Sequence, residues 1–159
     1  MLSMGTLLTF LGIGLAVALP GFGSSQGVGL VGKAGTGVIA EDPEKFTPIL
    51  ILDVLPATQG IYGLLIGLMI MIKIGVFGGN LVTNLDLNTG LALLFSTVPI
   101  ALVGWVSAIF QGRVAAAGVS VVAKRPEELV KTILLAAMVE TYAVLALLAS
   151  LLMVMAVQI

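Results

Sequence analysis

Three short polar breaks interrupt an otherwise apolar chain: "AEDPEKF" (40–46), "GGNLVTNLDLNTG" (78–90) and "AKRPEEL" (123–129), each rich in turn formers or charges. The segments between them, about 4–39, 46–77, 90–122 and 127–158, each exceed the ~20 residues that cross a hydrocarbon core. The pattern predicts an all-α membrane protein. Its four transmembrane helices form two hairpins, residues 1–80 and 81–159. Pro43 and Pro126 fall at helix starts, where the missing N–H costs nothing. The apolar N-terminus lacks the basic stretch of a signal peptide and reads as a retained first span.

Composition agrees with this reading and narrows the chemistry. Of 159 residues, 59% are hydrophobic and 9% charged, and mean hydropathy is +1.21, far from soluble domains. A net charge of −1 suggests no nucleic-acid partner, and the absence of His and Cys excludes disulfides, thiolate chemistry and imidazole shuttles. Carboxylates, amides and hydroxyls remain. Lys33, Lys45, Arg113, Lys124, Arg125 and Lys131 cluster near the first and third breaks, while Lys73 alone lies toward the second. The positive-inside rule then places loops 40–46 and 123–129 in the cytoplasm and both termini outside.

The hairpins resemble one another. "IAEDPEKF" matches "VAKRPEEL" at an offset of 83, Gln26 matches Gln111 at 85, and Gln59 stands against Glu140 at 81. Read with these slips, one half keeps an acid that the other has replaced by an amide. Ten of the 20 glycines lie within the first 37 residues, including a Gly23-x-x-x-Gly27 spacing of the kind that lets helices touch in lipid. Gly104, Ser107, Ala108, Gln111, Ala115 and Gly118 extend a milder stripe along helix three. Such stripes suit pairing within a bundle, and equally a crowded inner wall of helices one and three in a ring of many copies.

Glu140 sits in the middle of the fourth apolar segment, where an ionisable group costs at least ~2.5 kcal/mol by insertion scales and is functional by default. In helix two, Leu55, Thr58, Gln59 and Tyr62 share one face at i, i+3, i+4 and i+7. Pro56 disturbs the ladder there and can free a carbonyl. With Gln111 and Glu140 approaching from helices three and four, these groups make an oxygen-lined pocket suited to a hard cation. Plainer readings exist for each neutral residue. The glutamines can serve as interhelical glue worth ~0.6 kcal/mol, Thr58 can bond back to Val54, and Tyr62 can simply fill space. Asp53 and Lys73 read as groups near the headgroups, with ion entry or a stator contact open for Asp53. Asp86 reads as a turn residue.

"LPATQGIYG", "QGRVAAAG" and "MVETYAVLA", with the "PEKF" and "RPEEL" loops, resemble the rotor-ring proteolipid subunits of V-type ATPases in their duplicated four-helix form. The likeness is greatest to the bacterial sodium-pumping branch. It implies one Na⁺ held by the Glu140 carboxylate, Gln59, Gln111, the Thr58 hydroxyl and the Leu55 carbonyl, with Tyr62 steadying the acid. It further implies a homo-oligomeric ring in the bacterial plasma membrane, a stator subunit supplying an arginine, and central-stalk subunits. The chain by itself would be no enzyme: nucleotide sites would lie on other subunits, and no phosphate-binding loop is present. Asp53 departs from the family pattern.

Two other functions fit part of the sequence. Protons alone would need only Glu140, with the amides and Thr58 as support. A small four-helix cation-coupled exchanger would also use Glu140, but its cavity normally calls for aromatics, and these are only 6% of the chain.

Overall fold

Ser3 opens the first helix by accepting the Thr6 N–H on its side-chain oxygen, the ordinary N-cap arrangement. In the computed structural model, which describes residues 1–159, this helix runs unbroken from Met4 to Glu41 despite Pro20. Asp42 ends it and starts the next, accepting from the Glu44 N–H at 3.1 Å, with Pro43 at the first position of a short 3₁₀ turn. The second span, Pro43–Lys73, contains helices at Phe46–Val54 and Thr58–Lys73 joined by the 3₁₀ turn Leu55–Ala57. The third, Leu87–Lys124, is capped by Asp86, and the fourth, Pro126–Ala156, follows Arg125 directly. All four are long and apolar enough to cross a membrane.

Two expected boundaries move. The second helix stops at Lys73, not 77, because Gly75 takes φ +78. Its N–H and that of Val76 turn back to Ile72 and Met71, closing the end in the left-handed geometry glycine permits. The third helix starts at Leu87 because Asp86 is its N-cap, accepting from Asn88 and Thr89 at 3.1 and 3.3 Å, and is thus more than a turn residue. Segment 74–86 closes over the N-terminus, where the Ser3 hydroxyl donates to Leu85 O at 2.7 Å and Ser3 N to Thr83 O at 2.8 Å.

The repeat register is single. Met4 and Leu87, Glu41 and Lys124, Pro43 and Pro126, and Lys73 and Ala156 all stand 83 apart, so every span boundary recurs at that offset. The slips to 85 and 81 read from the sequence are therefore corrected. At 83, the counterpart of Glu140 is Ala57, that of Gln111 is Val28, and Gln26 answers to Ile109. Gln59 is no relic of a lost acid.

The first and third spans cross at backbone distance. A Cβ on Gly23 would strike Trp105, one on Gly27 would strike Ala108, and one on Gly112 would strike Gly27. The third span is the most enclosed and the fourth the least: 44% and 22% of their most apolar windows are buried, so the fourth forms an outer flank. Two apolar clusters fill the bundle. One, with Ile13, Ile66, Ile70 and Ile100, lies toward the termini; the other, with Val31, Leu52, Val119 and Val122, lies toward the hairpin turns. Between them lies a layer of buried polar side chains.

Candidate functional site

That layer is built around the break in the second span. Pro56 has no N–H to give, so the chain tightens into the Leu55–Ala57 turn, and the Thr58 N–H reaches the Leu55 carbonyl. The Thr58 hydroxyl lies 3.1 Å from the same carbonyl, with Gln59 Oε1 a second acceptor at 3.3 Å. The back-bond therefore goes to Leu55 and not to Val54. On the next turn the Gly60 N–H finds the Ser24 hydroxyl of the first span at 2.9 Å, which satisfies a donor left over by the break.

From Gln59 the polar contacts run across the bundle. Gln59 Nε2 donates to Gln111 Oε1 at 2.5 Å, and Gln111 Nε2 donates to Glu140 Oε2 at 3.2 Å. The Tyr62 phenol donates to Glu140 Oε1 at 2.6 Å. Both glutamines are wholly buried, whereas Thr58, Tyr62 and Glu140 are partly exposed. All six residues expected to meet do so, from three helices, in one continuous network. Fully connected buried networks of this kind hold a unique geometry, because each amide would be costly if left unpaired.

Ser107 joins this network, although its sequence context gives it only a packing role. It accepts from Gln59 Nε2 at 3.4 Å and donates to the Val139 carbonyl at 3.0 Å. Its position one turn before Gln111 is the signal that points to it. Glu140 has no cationic partner, since the chain's two ion pairs, Lys45–Asp42 and Lys131–Glu128, both lie at the hairpin turns. It also borders a depression of 380 Å³ on the outer flank, with Ala137, Thr141, Val144 and Leu145. The carboxylate can thus be reached from beside the fourth helix.

Other expectations fare differently. Asp53 Oδ1 is enclosed near Gly32 of the first span and has no hydrogen-bond partner. Lys73 is the last residue of the second span. Gln26 is exposed and outside the network. Trp105 packs against Phe22, ring centres 6.4 Å apart, with its Nε1 buried and unpaired.

Comparison with known proteins finds the same repeat in this chain. Residues 11–70 and 94–153 each match the sequence pattern of the ATP synthase C subunit family, again at an offset of 83. The chain is 42% identical over 151 residues to the V-type sodium ATPase subunit K of Enterococcus hirae, covering 95% of this chain and 92% of that one. It is 35% identical over 151 residues to the A-type ATP synthase subunit K of Methanocaldococcus jannaschii, covering 95% of this chain and 63% of the relative. A shorter match, 33% over 63 residues and 40% of this chain, is to the 16 kDa proteolipid of the V-type proton ATPase of Bos taurus, 41% of which is covered.

Proposed function

Because the chain belongs to the ATP synthase C subunit family, as a duplicated rotor-ring proteolipid of the V/A-type ATPases, we propose that it carries Na⁺ across the cell membrane on Glu140. The observation that supports this is the run of hydrogen bonds that links Leu55 O, Thr58, Gln59 and Gln111, on the second and third spans, to the single carboxylate of Glu140 on the fourth.

Charge balance selects the cargo. One carboxylate among neutral oxygens is cancelled by one monovalent cation, and a neutral site can face hydrocarbon. A divalent ion would leave a net charge there. Oxygen donors suit a hard ion. A proton needs one carboxylate oxygen and would use the amides and Thr58 only as hydrogen-bond support. The E. hirae relative is named a sodium ATPase subunit, which points the same way.

Transport then follows from turning. Copies of the chain form a homo-oligomeric ring in the bilayer, with the first and third spans inside and the second and fourth outside. An occupied Glu140 passes through lipid; an emptied one requires a positive charge beside it. This chain offers none near Glu140, so an arginine of a stator subunit supplies it, approaching over the depression on the fourth helix. Central-stalk subunits connect the ring to nucleotide sites elsewhere, and the chain makes and breaks no bonds itself. The basic hairpin turns at 40–46 and 123–129 face the cytoplasm, with the termini outside.

The test is labelling of Glu140 by a hydrophobic carbodiimide in membranes at fixed pH, since the reagent attacks the protonated acid. Protection by Na⁺ and not by K⁺ is expected. Labelling that follows pH alone would assign the site to protons and leave the amides as support.

A further inference from the structure

Ser24 and Ser107 are counterparts at the repeat offset of 83, as are Pro56 and Val139, and Gly60 and Ala143. In the first hairpin Pro56 breaks the second span, and the Ser24 hydroxyl is taken up by the Gly60 N–H that the break leaves over. The fourth span runs unbroken through Val139 and Ala143, so the Ala143 N–H has a helical partner and makes no demand on Ser107. The lone pairs of Ser107 are therefore free for another donor. The one in reach is Gln59 Nε2, at 3.4 Å.

The Ser107 proton is committed to the Val139 carbonyl at 3.0 Å. A hydroxyl whose proton is engaged can only accept, so Ser107 fixes which end of the Gln59 amide faces it, the nitrogen. The amide oxygen then lies beside the Thr58 hydroxyl, 3.3 Å away. Gln59 Nε2 carries two protons, and its other acceptor is Gln111 Oε1. That oxygen is the one side-chain atom by which Gln111 can hold a cation, because its Nε2 carries protons and is turned to Glu140 Oε2. A cation drawing on Gln111 Oε1 thus competes with Gln59 Nε2 for it. Gln59, Gln111 and Ser107 are all buried, so solvent does not step in, and a buried donor left unpaired is costly.

We propose that Ser107 is a positioning residue of the ion site: it keeps Gln59 Nε2 paired when Gln111 Oε1 turns to the cation, and so leaves the oxygens of both amides free to hold it. The inference deepens the sodium reading above and rests on it. Protonation of Glu140 asks for no oxygen from Gln111, so Ser107 governs loading by Na⁺ and not by H⁺.

The test follows the carbodiimide reaction of Glu140 in native membranes, with Na⁺ titrated at fixed pH and, separately, with pH varied in the absence of Na⁺. Ser107→Ala is expected to raise the Na⁺ concentration for half-protection by about ten-fold, and to leave the pH profile without Na⁺ where wild type has it. In a Gln59→Met background, which has no amide nitrogen to pair, Ser107→Ala is expected to add nothing further. Half-protection unchanged by Ser107→Ala would overturn the proposal while the sodium reading stands. So would an equal loss in the Gln59→Met background, or a pH profile displaced together with the Na⁺ titration, since either would make Ser107 a packing contact between the third and fourth spans. Wild-type labelling indifferent to Na⁺ would sink the sodium reading itself, and the role of Ser107 with it.

Discussion

The Tyr62 phenol reaches from the second span to Glu140 Oε1 of the fourth at 2.6 Å, while the other carboxylate oxygen is held by Gln111. Tyr62 thus fixes the direction in which the acid points without itself standing among the amide oxygens. Hydrogen bonds to charged groups contribute about 1.5–3 kcal/mol. Tyr62→Phe is expected to leave assembly intact and weaken Na⁺ binding by roughly ten-fold or more, since each 1.4 kcal/mol is a factor of ten. Sodium protection of Glu140 from carbodiimide, titrated in both proteins, checks it; coincident curves would reduce Tyr62 to packing.

Thr58→Ala removes an oxygen beside the Leu55 carbonyl, and Gln111→Ala removes the residue that connects Gln59 to Glu140. Both are expected to lower Na⁺ affinity, Gln111→Ala more, because Gln59 is then left buried with fewer partners. Gln111→Ala should also lose thermal stability of the bundle, whereas Thr58→Ala should not. Unchanged sodium binding in both variants would remove these residues from the ion site.

Gly112→Leu drives a side chain into the Gly27 backbone, which has no flexible end to move aside. Expression in the membrane is expected to fall or the bundle to melt well below wild type. Gly37→Leu, at a position with nothing within 4 Å, is expected to be tolerated in the same assay. Equal behaviour of the two would show that close approach of spans one and three does not hold the fold.

At the start of the third span, hydrogen bonds from the Thr89 side chain and backbone and from the Asn88 backbone hold the Asp86 carboxyl below its usual value. A depressed carboxyl stabilises the helix start at pH above its unfolded pKa, and this is lost as pH falls through the lower folded value. Amide exchange at Asn88 and Thr89 is expected to be faster in Asp86→Ala than in wild type near neutrality, and the difference to vanish in strong acid. A difference that persists there would exclude the charged cap as its cause.

Four spans, their two hairpins, the proline-marked starts and the place of Glu140 as the one deep acid of its span followed from the sequence, because each rests on a signal local to a few residues. A run of apolar side chains longer than the bilayer is thick, a Pro after a charged turn, and a carboxylate among methyl groups mean much the same in any surroundings. The face shared by Leu55, Thr58, Gln59 and Tyr62 was legible for the same reason: helical spacing alone puts them together.

The register of the repeat was legible in the match of the two hairpin turns at 83 but not in the glutamines. Matching Gln26 to Gln111 and Gln59 to Glu140 by residue type moved each pair off the offset of 83 that all the span boundaries keep. A displacement of two residues turns a side chain by more than half a circle on a helix, enough to carry Gln26 out of the layer that holds Gln111. Ser107 in the network, Asp53 turned toward Gly32, and the exit of the second helix at Gly75 were likewise decided by tertiary structure. Each depends on which neighbouring backbone stands within reach, and that distance belongs to the packed helices and not to any one of them.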